Sequence, residues 1–533
     1  METRELSPEE AEGHLWDAVI VGAGAGGATA GFNLAKQGRS VLFIERGKLL
    51  HRDPSVKKGV PFNWSGEMEA ATNHGWWHRP IYSEDENGNL SAMGLPMGIG
   101  AGGSTALFGA VLDRFRPQDF TPRQFFPDAT DSSVPEAWPV SYEEMVPFYE
   151  RAEKLYRVRG TRDPLLAGTF DLIDPPTPST KETAVFEALQ QSGLHPYRIH
   201  SVCERLPECQ GCPAMICPRP CRNDAARTCF YPALEQHGAK FLSSCRAIRF
   251  EERNRVVERL LCEANGRQIT LRARVFILAA NAYFTPLMLQ RSANEHFPEG
   301  LGNSSGLVGR NLMFHATNRL FAKLKKGKQG RSFNMNHGVA LNDFYVYDGT
   351  KLGNVHAHPI ATRDAILRFL VQNNIGLHYL PGPLLTMLTS IVSFAYRSWL
   401  LFATIIEDLP SSQNSVKAKS GSEDDIVFKY QYPDELRRRA SRLSELFKSA
   451  VDPSFDVRVL EPLGELNLSH ACGTCRFGDD PRTSVLDRDN RVHDLDNLYV
   501  LDASFFPSSS GINPSLTIIA NSLRASDKIV QRL

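Results

Sequence analysis

Glycines 22, 24 and 27 stand in the order G-x-G-x-x-G, behind the apolar run DAVIV (17–21) and ahead of the small-residue stretch ATAGFNLAKQG. The first glycine permits a tight turn, the second lets the main chain approach a pyrophosphate, and the third lets a helix pack on a strand. The start of that helix offers unpaired N–H groups and the positive end of its dipole to a phosphate. Glu45 closes the next apolar run, VLFIE. A carboxylate there accepts hydrogen bonds from ribose hydroxyls and repels a 2′-phosphate. A second glycine-rich loop, MGIGAGGST (97–105), carries Gly100, Gly102, Gly103 and Ser104 ahead of ALFGAVLDR. Without Cβ atoms its backbone can lie against a planar cofactor or its phosphates. The first motif alone does not separate FAD from NAD; two such loops in one chain fit an elongated ligand such as FAD.

The elements that must position these loops follow from the surrounding pattern. Strand, glycine turn, helix and strand make a βαβ unit at the start. Several prolines between 117 and 147 predict a long surface connection leading into a helix around 142–156. VVERLLC (256–262) and QITLRARVFILAA (268–280) predict a hairpin running into a buried strand. Residues 316–464 hold strand-like runs without a glycine fingerprint, which suits a separate substrate domain. The tail reads strand (LYVLD), loop (SFFPSSSGI), then helix, with Asn513 as N-cap and Pro514 at the first helical position. The apolar stretch 384–406 divides into a first half resembling a buried helix and WLLFATII resembling a core strand. Membrane contact ranks below core or substrate pocket, with an apolar helix lying on a surface as a further alternative.

A series of segments then carries a resemblance. GAGAGGATAGFNLAKQG, GIGAGGSTALFGAVLDRF, WPVSYEEMVPFYERAE, VFILAANAYFTPLML, GNSSGLVGRNLMFH, EDLPSSQNSV and the tail beginning His470-Ala-Cys-Gly-Thr occur in order over nearly the whole chain. In them the chain resembles the glucose–methanol–choline (GMC) oxidoreductases, a flavoprotein family. The resemblance implies an α/β fold: a Rossmann-like FAD-binding domain with a second α+β substrate domain on an antiparallel sheet. Expected boundaries are 14–116, 200–318 and 465–533 for the FAD-binding domain, 117–199 for the connection and substrate-domain helices, and 319–464 for the substrate domain. It also implies that His470 takes the hydroxyl proton of an alcohol as hydride passes to flavin N5, and that Asn513 binds the substrate oxygen. An imidazole titrates near ~6.5 and serves as a base at neutral pH; an amide cannot, but can donate a hydrogen bond. Asp502, Ala503, Pro514 and, more weakly, Ala247 match cofactor-contacting positions. Relatives on this fold include hydroxynitrile lyases and light-driven decarboxylases, so a non-redox lyase or a photodecarboxylase is the alternative.

Six cysteines fall between 203 and 229, spaced Cys203-x5-Cys209-x2-Cys212-x4-Cys217-x3-Cys221-x7-Cys229. Their placement resembles the insert of flavin-dependent glucose and fructose dehydrogenases, where cysteines hold an iron–sulfur cluster, although the spacing departs from that pattern. Cys209, Cys212, Cys217 and Cys221 are the candidate ligands for an iron–sulfur cluster or a zinc ion, since soft thiolates suit both. Buried thiols without metal are the other reading. Cys472 and Cys475 are expected to pack rather than react.

Composition limits the rest. Lys plus Arg and Asp plus Glu both total 60, giving a formal charge of zero, so the broad basic field of a nucleic-acid binder is missing. No basic stretch followed by an apolar one opens the chain, which predicts a cytoplasmic protein. The expected partner is a small-molecule alcohol. Aromatic clusters at Phe62–Trp64, Trp76–Trp77 and Phe394–Phe402 suit sugars and hydrophobic alcohols such as sterols or terpenoids alike. Oxygen, a quinone or a protein partner could each accept the electrons.

Overall fold

The computed structural model describes residues 5–56, 74–207, 209, 215–325, 338–358, 382–395, 399–422 and 424–533. The apolar runs flanking the glycine turn form parallel strands Leu15–Val21 and Val41–Ile44, joined by helix Ala25–Lys36. Every residue of Val41–Ile44 is buried, the pattern of a strand covered on both faces. The seven-stranded sheet continues to Lys240–Leu242 on one side and Arg267–Leu278 on the other. The far edge of Arg267–Leu278 is shared. Its last residues take Leu498–Val500 as a parallel neighbour; its first residues pair antiparallel with Val256–Ala264, the expected hairpin, and Cys245–Arg253 pairs with Val256–Ala264 beyond it.

The last helix, Ser515–Arg532, lies against helix Ala25–Lys36. Asn33 Nδ2 donates to Ser526 Oγ at 2.9 Å and to Asp527 Oδ1 at 2.8 Å across this contact. Gly26 lets the chain close up here: a Cβ on it would lie 1.6 Å from the carbonyl oxygen of Leu501.

A six-stranded antiparallel sheet forms the second layer, in the order Phe455–Leu466, His315–Leu324, Leu400–Glu407, Gly353–His358, Val339–Leu341 and Tyr197–Arg198. Side chains alternate across it. Ala316, Leu320, Ala322, Phe402 and Ile406 share a buried cluster with Leu436, Ala440, Leu443 and Phe447 of helix Asp434–Val451. Of the intervening residues, Thr317, Arg319, Ala403 and Ile405 face the other way, into the cavity described below. A smaller sheet pairs Ile426–Lys429 in parallel with Pro80–Glu84, between Ser415–Ala418 and Leu90–Gly94; distance in the sequence hid this pairing.

Two expectations are corrected. The proline-rich stretch before helix Tyr142–Tyr156 is long but is no surface connection. Phe120, Phe126, Val134 and Trp138 are buried within it, and Trp138 Nε1 donates to Ser508 Oγ at 2.8 Å. Short 3₁₀ turns beginning at Pro117 and Pro122 bend this stretch. The apolar stretch 384–406 splits as expected into helix Gly382–Ala395 and strand Leu400–Glu407. The strand is core, but the helix is not buried: Leu384, Met387, Ile391 and Phe394 are 42%, 54%, 57% and 63% exposed. Periodicity reports one face of such a helix, not what covers it. Among the described residues no helix is long and apolar enough to cross a membrane.

Candidate active site

A cavity of about 1090 Å³ runs from the glycine turn to the second sheet, at the upper end of what a compact ligand requires. Gly22, Gly24, Glu45, Gly100, Gly103, Ser104, Ala247, Asp502 and Ala503 line it, together with His470, Asn513 and Pro514. Gly27 and Gly102 stand behind the wall. A Cβ on Gly27 would meet the Gly22 carbonyl oxygen at 2.1 Å, in keeping with its helix-packing role. Gly102 has φ +93° and its N–H donates to the Ala23 carbonyl at 2.8 Å, joining the two glycine loops.

Gly24 tests the fit of a cofactor. A Cβ there would meet no protein atom within 4 Å, so its lack of a side chain is not explained by protein packing and leaves open space at the cavity wall. Glu45 also organises the site. Its Oε2 accepts from Ala23 N–H at 3.0 Å, and its Oε1 from Gly47 and Gly100 N–H at 2.9 and 3.2 Å. One carboxylate thus ties both loops and retains lone pairs for a hydroxyl. Asp502 is similarly committed: it accepts from Asn281 N–H at 2.9 Å, Thr285 Oγ1 at 2.5 Å, and Ser504 N–H at 2.8 Å. Burial pushes its carboxyl up, against the pull of the hydrogen bonds from Ser504 and Thr285.

His470 ends a single 3₁₀ turn, Leu468–His470, capped by the Asn467 side chain. Its Nδ1 lies 3.1 Å from Nδ1 of His315, with the two rings at 89°. His315 is fully buried, and burial lowers its pKa to about 4. Asn513 does not cap the last helix. Pro514 occupies the N-cap and the helix starts at Ser515. A residue before proline is steered to extended backbone, so Asn513 stays outside the helix, on the cavity wall. The loop before it is tied to a buried charge cluster. Tyr345 OH lies 3.1 Å from Ser510 Oγ and donates to Asp119 Oδ1 at 2.6 Å, and Lys351 pairs with Asp119 at 2.8 Å and with Glu407.

The second sheet contributes Thr317, Arg319, His356, Leu401, Ala403, Ile405 and Glu465 to the cavity. Arg319 and Glu465 form an ion pair there. None of these, nor His315, was singled out in the sequence. Alternation along FATII and the segment NLMFH held the signal. Trp76 and Trp77 line the cavity, whereas Phe402 belongs to the core; Phe62–Trp64 lie outside the described residues.

The cysteine set is revised. Sγ atoms of Cys203, Cys209 and Cys221 lie within 4.8 Å of one another, and Cys217 Sγ is 3.3 Å from that of Cys221. Cys203, left out of the expected ligands, belongs to the group, and Cys221 is the thiol that Cys203, Cys209 and Cys217 all approach. Strand-like bridging of Cys203 to Arg222 folds the insert back on itself, which spacing does not disclose. Cys212 lies outside the described residues. Cys229 sits elsewhere, beside Thr29 and Tyr156. Cys472 and Cys475 are fully buried, and burial raises both thiols, as packing groups require.

Models of the GMC oxidoreductases match residues 16–317 and 410–522. The chain belongs to the GMC oxidoreductase family. It is 28% identical over 99% of its length to 6'''-hydroxyparomomycin C oxidase of Streptomyces lividus, covering 93% of that protein. It is 25% identical over 97% of its length to 2-methyl-1,2-propanediol dehydrogenase of Mycolicibacterium austroafricanum, covering 95% of it. Among solved structures, Aspergillus oryzae formate oxidase, studied for its FAD modification, superposes with a TM-score of 0.65 at 14% identity, over 97% of this chain and 98% of that one. This GMC oxidoreductase is therefore a flavoprotein enzyme: a Rossmann-like domain for FAD beside a substrate domain, acting on alcohol groups.

Proposed function

We propose that this GMC oxidoreductase oxidises the CH–OH group of an amphipathic alcohol, with His470 as the base and Asn513 as hydrogen-bond donor to the substrate oxygen. The observation that carries this reading is the single cavity shared by the glycine turn, His470, Asn513 and the second sheet. Bound FAD supplies the acceptor for the hydride of the carbinol carbon. Gly22, Gly24, Glu45, Gly100, Gly103, Ser104, Ala247, Asp502, Ala503 and Pro514 would hold it. His470 removes the hydroxyl proton; the Asn513 amide steadies the oxygen as charge develops. The sheet supplies an apolar strip, Leu401, Ala403 and Ile405, beside the Arg319–Glu465 pair and His356. That mixture suits a substrate with one hydrocarbon side and one hydroxylated or charged side better than a sterol. The boundaries given above for the two domains belong to the same reading.

Anaerobic mixing with a panel of such alcohols tests it. Loss of the oxidised-flavin absorbance band supports oxidation. Turnover without bleaching would establish the lyase alternative, and product formed only under illumination the decarboxylase.

The cysteines favour an accompanying metal. Sulfur atoms around a tetrahedral zinc lie ~3.8 Å apart given Zn–S bonds of about 2.3 Å, and here Cys203–Cys209 and Cys209–Cys221 are both 3.7 Å apart. The neighbouring thiols Cys203, Cys209 and Cys217 hold the Cys221 proton on, a crowding that a cation would relieve. The group adjoins the cavity, since Ser201, two residues before Cys203, lines it. An iron–sulfur cluster at this place would carry electrons onward to a partner. Iron, sulfide and zinc analysis of protein purified without air decides between cluster, zinc and free thiols.

A further inference from the structure

A histidine's tautomer is fixed by the hydrogen bonds its two ring nitrogens make. His315 Nε2 lies 3.0 Å from the carbonyl oxygen of Ser509. A carbonyl oxygen only accepts, so this nitrogen carries a hydrogen. His315 is fully buried and burial keeps the ring neutral at ordinary pH. A neutral ring has one N–H, so His315 Nδ1 is an acceptor. The hydrogen in the 3.1 Å contact between the two Nδ1 atoms therefore belongs to His470. In the neutral His470 ring the lone pair then resides on Nε2.

We infer that His315 is a positioning residue that holds His470 in the Nδ1–H tautomer, so that Nε2 takes the alcohol proton. This rests on the proposed role of His470 as base. The balance is simple. The substrate O–H bond breaks, an Nε2–H bond forms, and the Nδ1–H of His470 stays where it was, donating to His315. No proton moves onto His315. Its surroundings are consistent with a neutral partner. Glu407 faces it across the sheet, but is paired with Lys351, which also neutralises Asp119. Asp408, next in the chain, accepts from Phe314 N–H and Tyr430 OH, not from the ring. A carboxylate in the place of His315 would stabilise the imidazolium strongly; an imidazole acceptor orients the base while leaving the proton easier to release afterwards.

Long-range proton–nitrogen correlation on the holoenzyme with ¹⁵N-labelled histidine reads the tautomer. At pH 7.5, roughly one unit above the ordinary imidazole value, His470 is expected to show a protonated Nδ1 and an unprotonated Nε2. The opposite tautomer overturns the inference, whatever the activity. His315→Leu is expected to retain FAD and lose about 10–100-fold in kcat, with the acidic limb of its pH profile displaced. His315→Gln, able to accept from His470 and donate to Ser509, is expected to recover most of that loss. A His315→Leu enzyme with kcat and pH profile of wild type also overturns the inference. Should the leucine variant not fold, the wild-type tautomer and the glutamine variant decide. Full turnover by His470→Ala would instead overturn the base assignment, and leaves the tautomer measurement standing on its own.

Discussion

The glycine-turn end of the cavity and the cavity-facing side of the second sheet are built on opposite terms. At the turn, the working parts are main-chain N–H groups and missing Cβ atoms. Gly22 has φ +98°, and a Cβ on it would sit 2.5 Å from the Ala279 carbonyl oxygen. Little but glycine meets that demand, so the residue type is dictated. On the sheet, apart from a β-bulge between Thr317 and Arg319, the cavity residues sit on extended backbone that accepts most side chains. Arg319, His356, Leu401 and Glu465 can be exchanged without disturbing a strand. The first region fixes what cofactor is held; the second leaves the substrate adjustable.

Substitutions can break or sharpen that contrast. The largest effect is expected where the two regions meet. His470→Ala should reduce turnover by roughly two to four orders of magnitude while flavin absorbance is retained, as read by steady-state rates and the visible spectrum. Next come two glycines of the same turn with different reasons to be glycine. Gly26→Val drives a side chain into the Leu501 carbonyl and should destabilise the fold by roughly 3 kcal/mol, seen in chemical denaturation. At Gly24 a Cβ meets no protein atom within 4 Å, so Gly24→Ala should leave apoprotein melting nearly unchanged yet weaken FAD retention. Equal melting losses in both would erase the distinction. On the sheet, Arg319→Ala breaks the pair with Glu465 and should raise KM about tenfold with kcat nearly unchanged. A fall in kcat instead would move Arg319 into the chemistry.

The same contrast explains what could be read from residues alone. The βαβ unit, the last strand and helix, and the cavity positions of Gly22, Gly24, Glu45, His470 and Asn513 were legible because each needs a particular residue type at a particular place. Asn513 was given the wrong local task, since Asn-Pro reads as cap plus first turn until the helix is seen to start at Ser515. His315 was passed over because a buried histidine looks like any core residue until its neighbour is known. Cys203 was passed over because spacing does not say how a loop folds back. The parallel pairing of Ile426–Lys429 with Pro80–Glu84 joins segments whose separation no local pattern spans.

The smallest expected effect concerns the buried carboxyl beyond strand Leu400–Glu407. Burial pushes Asp408 up to about 7, above the ~3.9 of an unfolded chain. Its contribution to stability is therefore complete below about pH 4 and is lost as pH rises through 7. Asp408→Asn keeps an acceptor for Phe314 N–H and Tyr430 OH. Relative to wild type it should gain on the order of 1 kcal/mol per pH unit between about 5 and 7 and remain level above. Melting temperatures that run parallel across that range would contradict this.

The close approach of Gly26 to Leu501, and of Asn33 to Ser526, has a consequence for folding. The two walls of the nucleotide cradle are supplied by segments 493 positions apart at the Asn33–Ser526 contact. Pairings of such long sequence separation cost loop-closure entropy before they are rewarded, so they form slowly. The cradle is complete only once both segments have met, which places cofactor capture late in folding.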